Sequence, residues 1–331
     1  MMTLALIGAG NIGGVHAANA ASHPRVRLGW VYDARHEAAA ALAAKHGARA
    51  ARSLDEALSD GVDAAIIASS TASHGEVAEA CIRAGKPFLC EKPLARDLGA
   101  AERIVRAARA AGLITAIGFN RRLDRGYAAI RDAVARGEIG RLEAILITSR
   151  SAAPPTVQSV QATGGLLGEK GSHFYDLACW IAGEYPVELH AMGAALVDPA
   201  FAEVGEVDVA MITLAMPSGA LCQLDFSWRA AYGQDERLET VGALGMLQTP
   251  QAPDAPFTRY GSTGMTQAAP LPGWLARFAP TYAEELERFL RALETGRAPE
   301  LASLEEGLAA QRLAEAAARS IREGRRIRLD A

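Results

Sequence analysis

At 331 residues the chain exceeds what one ordinary core usually holds, and with 50% hydrophobic residues it has material for a buried core in each of two domains. Its 34 Lys and Arg against 38 Asp and Glu leave a net charge of -4, and no basic run is longer than the dipeptide Arg325-Arg326, which argues against nucleic-acid and membrane-surface partners. No apolar run approaches the roughly 18 residues of a membrane span, the first residues enter a strand without a charged leader, and Cys81, Cys90, Cys179 and Cys222 lack zinc-type spacing; a soluble cytoplasmic protein with small core cysteines and no metal centre is expected.

The chain opens on a short apolar strand, Leu4-Ala5-Leu6-Ile7, followed by Gly8-Ala9-Gly10-Asn11-Ile12-Gly13, a helical segment, and a second apolar run, Val26 to Tyr32, that closes on Asp33. Strand, glycine turn, helix and strand, with an acid about 20 residues past the last glycine, is the arrangement that binds a dinucleotide. Gly8 permits the tight turn, Gly10 lets the backbone approach a pyrophosphate, and Gly13 lets the helix pack close, while the helix N-terminus at Asn11 and Ile12 presents N–H groups to the anion. Asp33 can accept hydrogen bonds from an adenosine ribose and repels a 2′-phosphate, which favours NAD over NADP. Arg35 is placed to fold over an adenine or to meet a 2′-phosphate.

The βα rhythm continues. Glu37 to His46 is helix-favouring, Ala48 to Ala51 reads as a short strand, and a capped helix opens at Ser53 with Glu56 three residues later. Val62 to Ala68 is a buried strand ending in Ser69-Ser70-Thr71, a polar loop at the carboxyl end where ligands sit in open parallel sheets. His74 opens the next helix, either as a ligand contact or as an ordinary surface histidine. The strand Pro87 to Cys90 delivers Glu91-Lys92-Pro93 into the same loop region, placing a lysine near the nicotinamide. The helix Asp97 to Ala111 and the strand Leu113 to Gly118 complete a doubly wound parallel sheet of the α/β class.

Beyond Asn120-Arg121-Arg122 the pattern changes. A helix from Gly126 to Arg136 and a longer strand, Leu142 to Arg150, lead to Ala153-Pro154-Pro155; later, Val207 to Pro217 and Ala220 to Trp228 read as strands of a hairpin turning at Ser218-Gly219. The boundary is placed near 122, with residues 1–122 binding the dinucleotide and 123–331 forming an α+β domain for substrate binding and oligomerisation, built on a large, mostly antiparallel sheet. Helices on one face of that sheet leave the other to a partner subunit, so a homodimer or homotetramer is expected. Leu247 to Leu275 looks like a long excursion, and Tyr282 to Leu293 and Ser303 to Ile321 are amphipathic helices.

The other informative stretch is Gly164 to Asp176. Read as the start of a helix, it puts Glu169, His173 and Asp176 at i, i+4 and i+7 on one face, and a histidine flanked by carboxylates is a plausible proton acceptor. An ordinary polar helix face with ion pairs would show the same spacing.

The sequence resembles the Gfo/Idh/MocA family of nicotinamide-dependent oxidoreductases across essentially its full length. The resemblance rests on Gly8 to Gly13, on Glu91-Lys92-Pro93 after a strand, and on the Gly-Gly segment with Glu169, His173 and Asp176. More narrowly, Gly118-Phe119-Asn120-Arg121-Arg122-Leu123-Asp124, Gly137-Glu138-Ile139-Gly140 and Thr148-Ser149-Arg150 followed by Pro154-Pro155 look like its inositol 2-dehydrogenase branch. The resemblance implies a Rossmann N-terminal domain and a catalytic pair, Lys92 and His173.

The expected reaction is oxidation of a secondary alcohol on a cyclic polyol or sugar, with His173 as base, Lys92 steadying the developing alkoxide and Glu169 holding the imidazole. Asn120, Arg121, Arg150 and Asp176 are candidate substrate contacts, with ion pairing the alternative for the two arginines. The chain departs from the branch in having Glu169 and Ser151 where Asp is usual, and Phe174 after His173. A dehydrogenase of a non-cyclitol sugar or sugar acid, or a non-catalytic NAD-binding sensor, is the alternative reading.

Overall fold

The computed structural model describes residues 1–255 and 257–329. The first strands and helices alternate as the sequence predicts: β1 (Met2–Ile7), α1 (Asn11–Ser22), β2 (Val26–Tyr32), α2 (His36–His46), β3 (Arg49–Ala50), α3 (Leu54–Ala57), β4 (Ala64–Ile67), α4 (Thr71–Arg83), β5 (Phe88–Cys90), α5 (Leu98–Ala111) and β6 (Thr115–Ile117). All pairings are parallel, in the order β3-β2-β1-β4-β5-β6. Leu4, Ala5, Leu6 and Ile7 are all buried, as both faces of a parallel strand are when helices cover the sheet. Local signals set the helix starts: Ser53 Oγ accepts from Glu56 N at 3.1 Å, and Asp97 Oδ1 accepts from Ala100 N at 2.8 Å. Between β1 and β4 the order of the strands reverses, so the turns at their carboxyl ends flank the crevice where such sheets bind ligands.

The remaining elements are α6 (Arg125–Ala135), β7 (Leu142–Arg150), α7 (Val157–Thr163), α8 (Gly171–Ala182), β8 (Glu188–Ala194), α9 (Ala200–Glu203), β9 (Val209–Ala215), β10 (Leu221–Ser227), β11 (Asp235–Gly242), β12 (Gly245–Thr249), β13 (Thr258–Gly261), β14 (Gly264–Gln267), α10 (Trp274–Thr295), α11 (Leu304–Glu323) and β15 (Ile327–Arg328). A seven-stranded sheet runs β12-β11-β7-β10-β9-β8-β15, antiparallel except for β7 with β10. One face is apolar and buried, with Ile145, Ile147, Leu224 and Phe226 among its residues, and α8 packs there through Phe174, whose ring centroid lies 5.6 Å from that of Phe226. The other face carries Leu146, Met211, Thr213 and Gln223. The excursion around 247–275 holds a hairpin of its own, β13 with β14.

The chain divides into two units, Met1–Asn120 with Ala279–Arg312, and Arg121–Phe278 with Leu313–Ala331. A second domain running unbroken over 123–331 is therefore corrected: residues 279–312 belong to the first unit. The reason is packing. Phe278, Tyr282, Leu286 and Leu290 keep a spacing of four along α10, and Leu286, Phe289 and Leu290 join Leu4, Leu6, Val31 and Ile66 in the core of the parallel sheet. Ala302 follows, its carbonyl accepting from Ile117 N at 2.9 Å. Helix α10 also begins at Trp274, ahead of the expected Tyr282, with Pro280 inside it.

Candidate active site

The glycine turn has the geometry a dinucleotide requires. Gly8 sits at φ +113°, and a Cβ there would stand 2.3 Å from Ala68 O; at Gly13 it would stand 2.1 Å from Gly8 O. At Gly10, by contrast, nothing lies within 4 Å of the Cβ position, so this backbone faces open space. Helix α1 begins at Asn11 and Ile12 with no side-chain cap and no acid in its first turn, leaving its N–H groups and positive end to an anion. Asp33 takes hold of the turn from β2: Oδ2 accepts from Ala9 N at 2.8 Å and Oδ1 from Arg35 N at 2.8 Å. The Arg35 side chain is exposed, its Nε 3.9 Å from Asp33 Oδ1. An open Gly10, an uncapped helix start and a carboxylate at the end of β2 fit a pyrophosphate and an adenosine ribose.

Across the crevice, the loop after β4 holds Ser69, Ser70 and Thr71. Ser73 Oγ donates to Ser69 Oγ at 2.8 Å, and Ser70 Oγ lies 3.2 Å from it. His74 is buried, not a surface residue; its Nδ1 lies 2.8 Å from Pro93 O and its Nε2 3.1 Å from Ser69 O, tying this loop to the Glu91-Lys92-Pro93 turn. Burial lowers its pKa, opposed by the two carbonyl contacts. The Lys92-Pro93 bond is cis. Glu91 turns its carboxylate to His16, with Oε1 2.8 Å from His16 Nε2. Asn120, fully buried, donates from Nδ2 to Thr281 Oγ1 at 3.0 Å.

In the second unit, His173 lies buried in the first turn of α8. The expectation that Glu169, His173 and Asp176 share one continuous helix needs correcting: Leu166–Lys170 forms a π-helical turn, and α8 starts at Gly171. Gly164 and Gly165, both at positive φ, lead into that turn, and at Gly165 a Cβ would stand 2.1 Å from Glu206 Oε2. Glu169 thus stands on a wider turn than an α-helix provides, directly ahead of the helix that carries His173. Asp176 is held by Arg122 through two bonds, of 2.8 Å from Nε and 2.5 Å from Nη2.

Arg121 is buried against Glu236, with Nη2 to Oε1 at 3.4 Å, and its guanidinium lies 3.8 Å from the Phe278 ring centroid. Arg150, at the end of β7, donates to Asp225 in a short ion pair and to Tyr232 Oη at 3.2 Å; the Asp225 bond raises its pKa. The sequence reading passed over Lys170. It is buried, with Nζ donating to Ser151 Oγ at 2.7 Å, Ser227 O at 3.1 Å and Ser149 O at 3.4 Å, and burial brings its pKa down to about 8. Arg122, Glu236, His16 and Glu285 were likewise missed.

A glycine turn at the head of β1, opposite a serine loop after β4 on a parallel sheet of this order, defines the first unit as a dinucleotide-binding Rossmann domain. An oxidoreductase family model of the NAD-binding Rossmann fold matches residues 2–119, and a GFO/IDH/MocA C-terminal domain model matches residues 127–248. The chain belongs to the Gfo/Idh/MocA family of oxidoreductases. It is 34% identical over 331 residues to a myo-inositol 2-dehydrogenase of Thermotoga maritima, covering 99% of both chains. With an inositol 2-dehydrogenase of Rhizobium meliloti it shares 35% identity over 325 residues, 97% of each. A crystal structure of a putative myo-inositol dehydrogenase from Sinorhizobium meliloti superposes with a TM-score of 0.94 at 33% identity, covering 100% of both chains.

Proposed function

We propose that this protein is an NAD-dependent dehydrogenase that oxidises a secondary alcohol of a cyclic polyol of the inositol type, or runs the reverse reduction. The carrying observation is likeness to inositol dehydrogenases over almost the whole chain, at 34–35% identity. When bound, NAD supplies the hydride acceptor. Gly8, Gly10, Asn11, Ile12 and Gly13 receive its pyrophosphate, Asp33 its adenosine ribose with Arg35 over the adenine, and Ser69, Ser70 and Thr71 the far side of the crevice. His74 and Glu91 serve the cofactor through the loops they hold.

His173 takes the hydroxyl proton as base, Glu169 orients its imidazole, and the Lys92 ammonium steadies the oxygen as negative charge develops on it. Asn120, Arg121, Arg150 and Asp176 provide polar groups for the remaining hydroxyls, and the buried ion pairs of Arg121 with Glu236 and of Asp176 with Arg122 keep those two in fixed positions. The protein is cytoplasmic and works as a homodimer or homotetramer whose second copy covers the open face of the seven-stranded sheet, where Leu146 is 41%, Met211 45% and Leu221 52% exposed. Among the described residues no helix is long and apolar enough to cross a membrane.

A panel of inositols, sugars and sugar acids, assayed by NADH absorbance, tests the reading: turnover is expected on a cyclic polyol. Turnover only on an open-chain sugar acid would reassign the substrate, and none on any alcohol would favour a sensor.

A further inference from the structure

Three buried side chains from separate elements of the first unit meet at the turn that carries Lys92. They are His16 on α1, Glu91 just after β5 and Glu285 on α10, and one polar atom from each lies within 4.8 Å of the others. His16 is 0%, Glu91 7% and Glu285 1% exposed. His16 Nε2 and Glu91 Oε1 form a direct hydrogen bond of 2.8 Å. The Tyr282 ring meets His16 edge-on, with centroids 5.5 Å apart. On another side Gly118 leaves room for Glu91, since a Cβ there would stand 3.0 Å from Glu91 Oε2. Both carboxyl oxygens of Glu285 are buried without a hydrogen-bond partner among the described residues.

Two carboxylates this close in a dry site require a proton or a cation. The direct His16–Glu91 bond favours the proton: a metal ion would have to displace that bond to take both atoms as ligands, whereas a neutral Glu285 needs only a side-chain rotation to donate its O–H to Glu91. Burial, reinforced by the Glu91 charge, pushes the Glu285 carboxyl well above the usual carboxylate range, the direction a neutral acid demands.

We propose that His16 and Glu285 are positioning residues that clamp the Glu91 carboxylate between them and so fix the backbone that carries Lys92. The proposal rests on reading Lys92 as the group that meets the substrate hydroxyl. The clamp spans residues 16, 91 and 285, and so joins the first helix, the Lys92 turn and the returning helix α10.

The test measures kcat, KM, NAD affinity and bound metal for the full-length wild type, Glu285→Gln, Glu285→Leu and Lys92→Met. Gln copies the shape and neutrality of the acid and should keep kcat within about threefold. Leu fills the space without holding Glu91 and should lower kcat by about tenfold or more while KM and NAD affinity stay within about twofold, a split that a loss of packing does not produce. Should Glu285→Leu not fold, His16→Leu cuts the clamp from the other side and is read in the same way. Wild-type kcat in the Leu variant alongside a collapse in Lys92→Met overturns the clamp and leaves the role of Lys92 standing. Wild-type kcat in Lys92→Met overturns both. One equivalent of a divalent metal in the wild type, lost in Glu285→Gln, would make the cluster a metal site and overturn the neutral-acid clamp.

Discussion

The Asp33 carboxylate fixes the glycine turn through Ala9 N and Arg35 N. Under the proposed function it also receives the hydroxyls of the adenosine ribose. NAD should therefore bind more tightly than NADP by on the order of tenfold, since a repelled or unpaired polar group costs about 1–3 kcal/mol. Calorimetric titration checks this: Asp33→Ser should narrow the gap, and equal binding of both cofactors by the wild type would contradict the assignment. Glu169 carries the second residue-scale prediction. If Glu169 orients the His173 imidazole as proposed, its extra methylene relative to Asp, on a π-helical turn, changes where the carboxylate sits around the ring. Glu169→Asp should keep turnover and reorder the polyols, and an unchanged ranking across the panel would contradict it. Asp33 and the glycines were legible in the sequence because they fall within one strand, turn, helix and strand: Gly13 is required by a contact within the turn, Gly8 by its positive φ and the approach of Ala68, and Gly10 leaves its backbone facing open space. His16 and Glu285 were not, because their meaning lies in contacts with Glu91, which stands 75 residues from His16 in the chain.

The element most altered by the structure is the entry to α8. Spacing alone suggested one helix from the Gly-Gly pair onwards, and could not show that the last turn before Gly171 widens and sends Lys170 inward among Ser149, Ser151 and Ser227. A lysine there reads from sequence as a solvated charge. Its folded pKa of about 8 lies below the ordinary lysine value of 10.5, so burying its charge destabilises the fold fully below pH about 8, and this cost is relieved as pH rises from there to about 10.5. Between pH 7.5 and 10 the unfolding free energy of the wild type should gain roughly 2 kcal/mol relative to Lys170→Met. Urea melts at the two pH values measure it, and parallel pH dependence of the two proteins would contradict a buried lysine of lowered pKa. The βα elements, by contrast, fell close to their expected bounds because glycine turns, caps and apolar runs mark them directly.

At the scale of the whole molecule, the sequence showed two domains and a change of pattern near residue 120, but not that α10 from Ala279 onwards and the start of α11 return to the first unit. An amphipathic helix shows that it has a buried face and not which core receives it; only the packing of Leu286, Phe289 and Leu290 decides that. The outer face of the sheet in the second unit exposes Leu146, Met211 and Leu221. Multi-angle light scattering should report a dimer or tetramer at micromolar concentration, and Leu146→Lys with Met211→Lys, both at exposed positions, should shift it to monomer without loss of helical signal. A monomeric wild type would contradict a self-paired sheet. The role of His173 as base is measured by kcat of His173→Ala against wild type on the best polyol of the panel, with NAD affinity determined alongside. A fall of roughly 10²–10⁴ with NAD affinity unchanged is the predicted result, the usual worth of a positioned base; near-wild-type turnover by His173→Ala would contradict it.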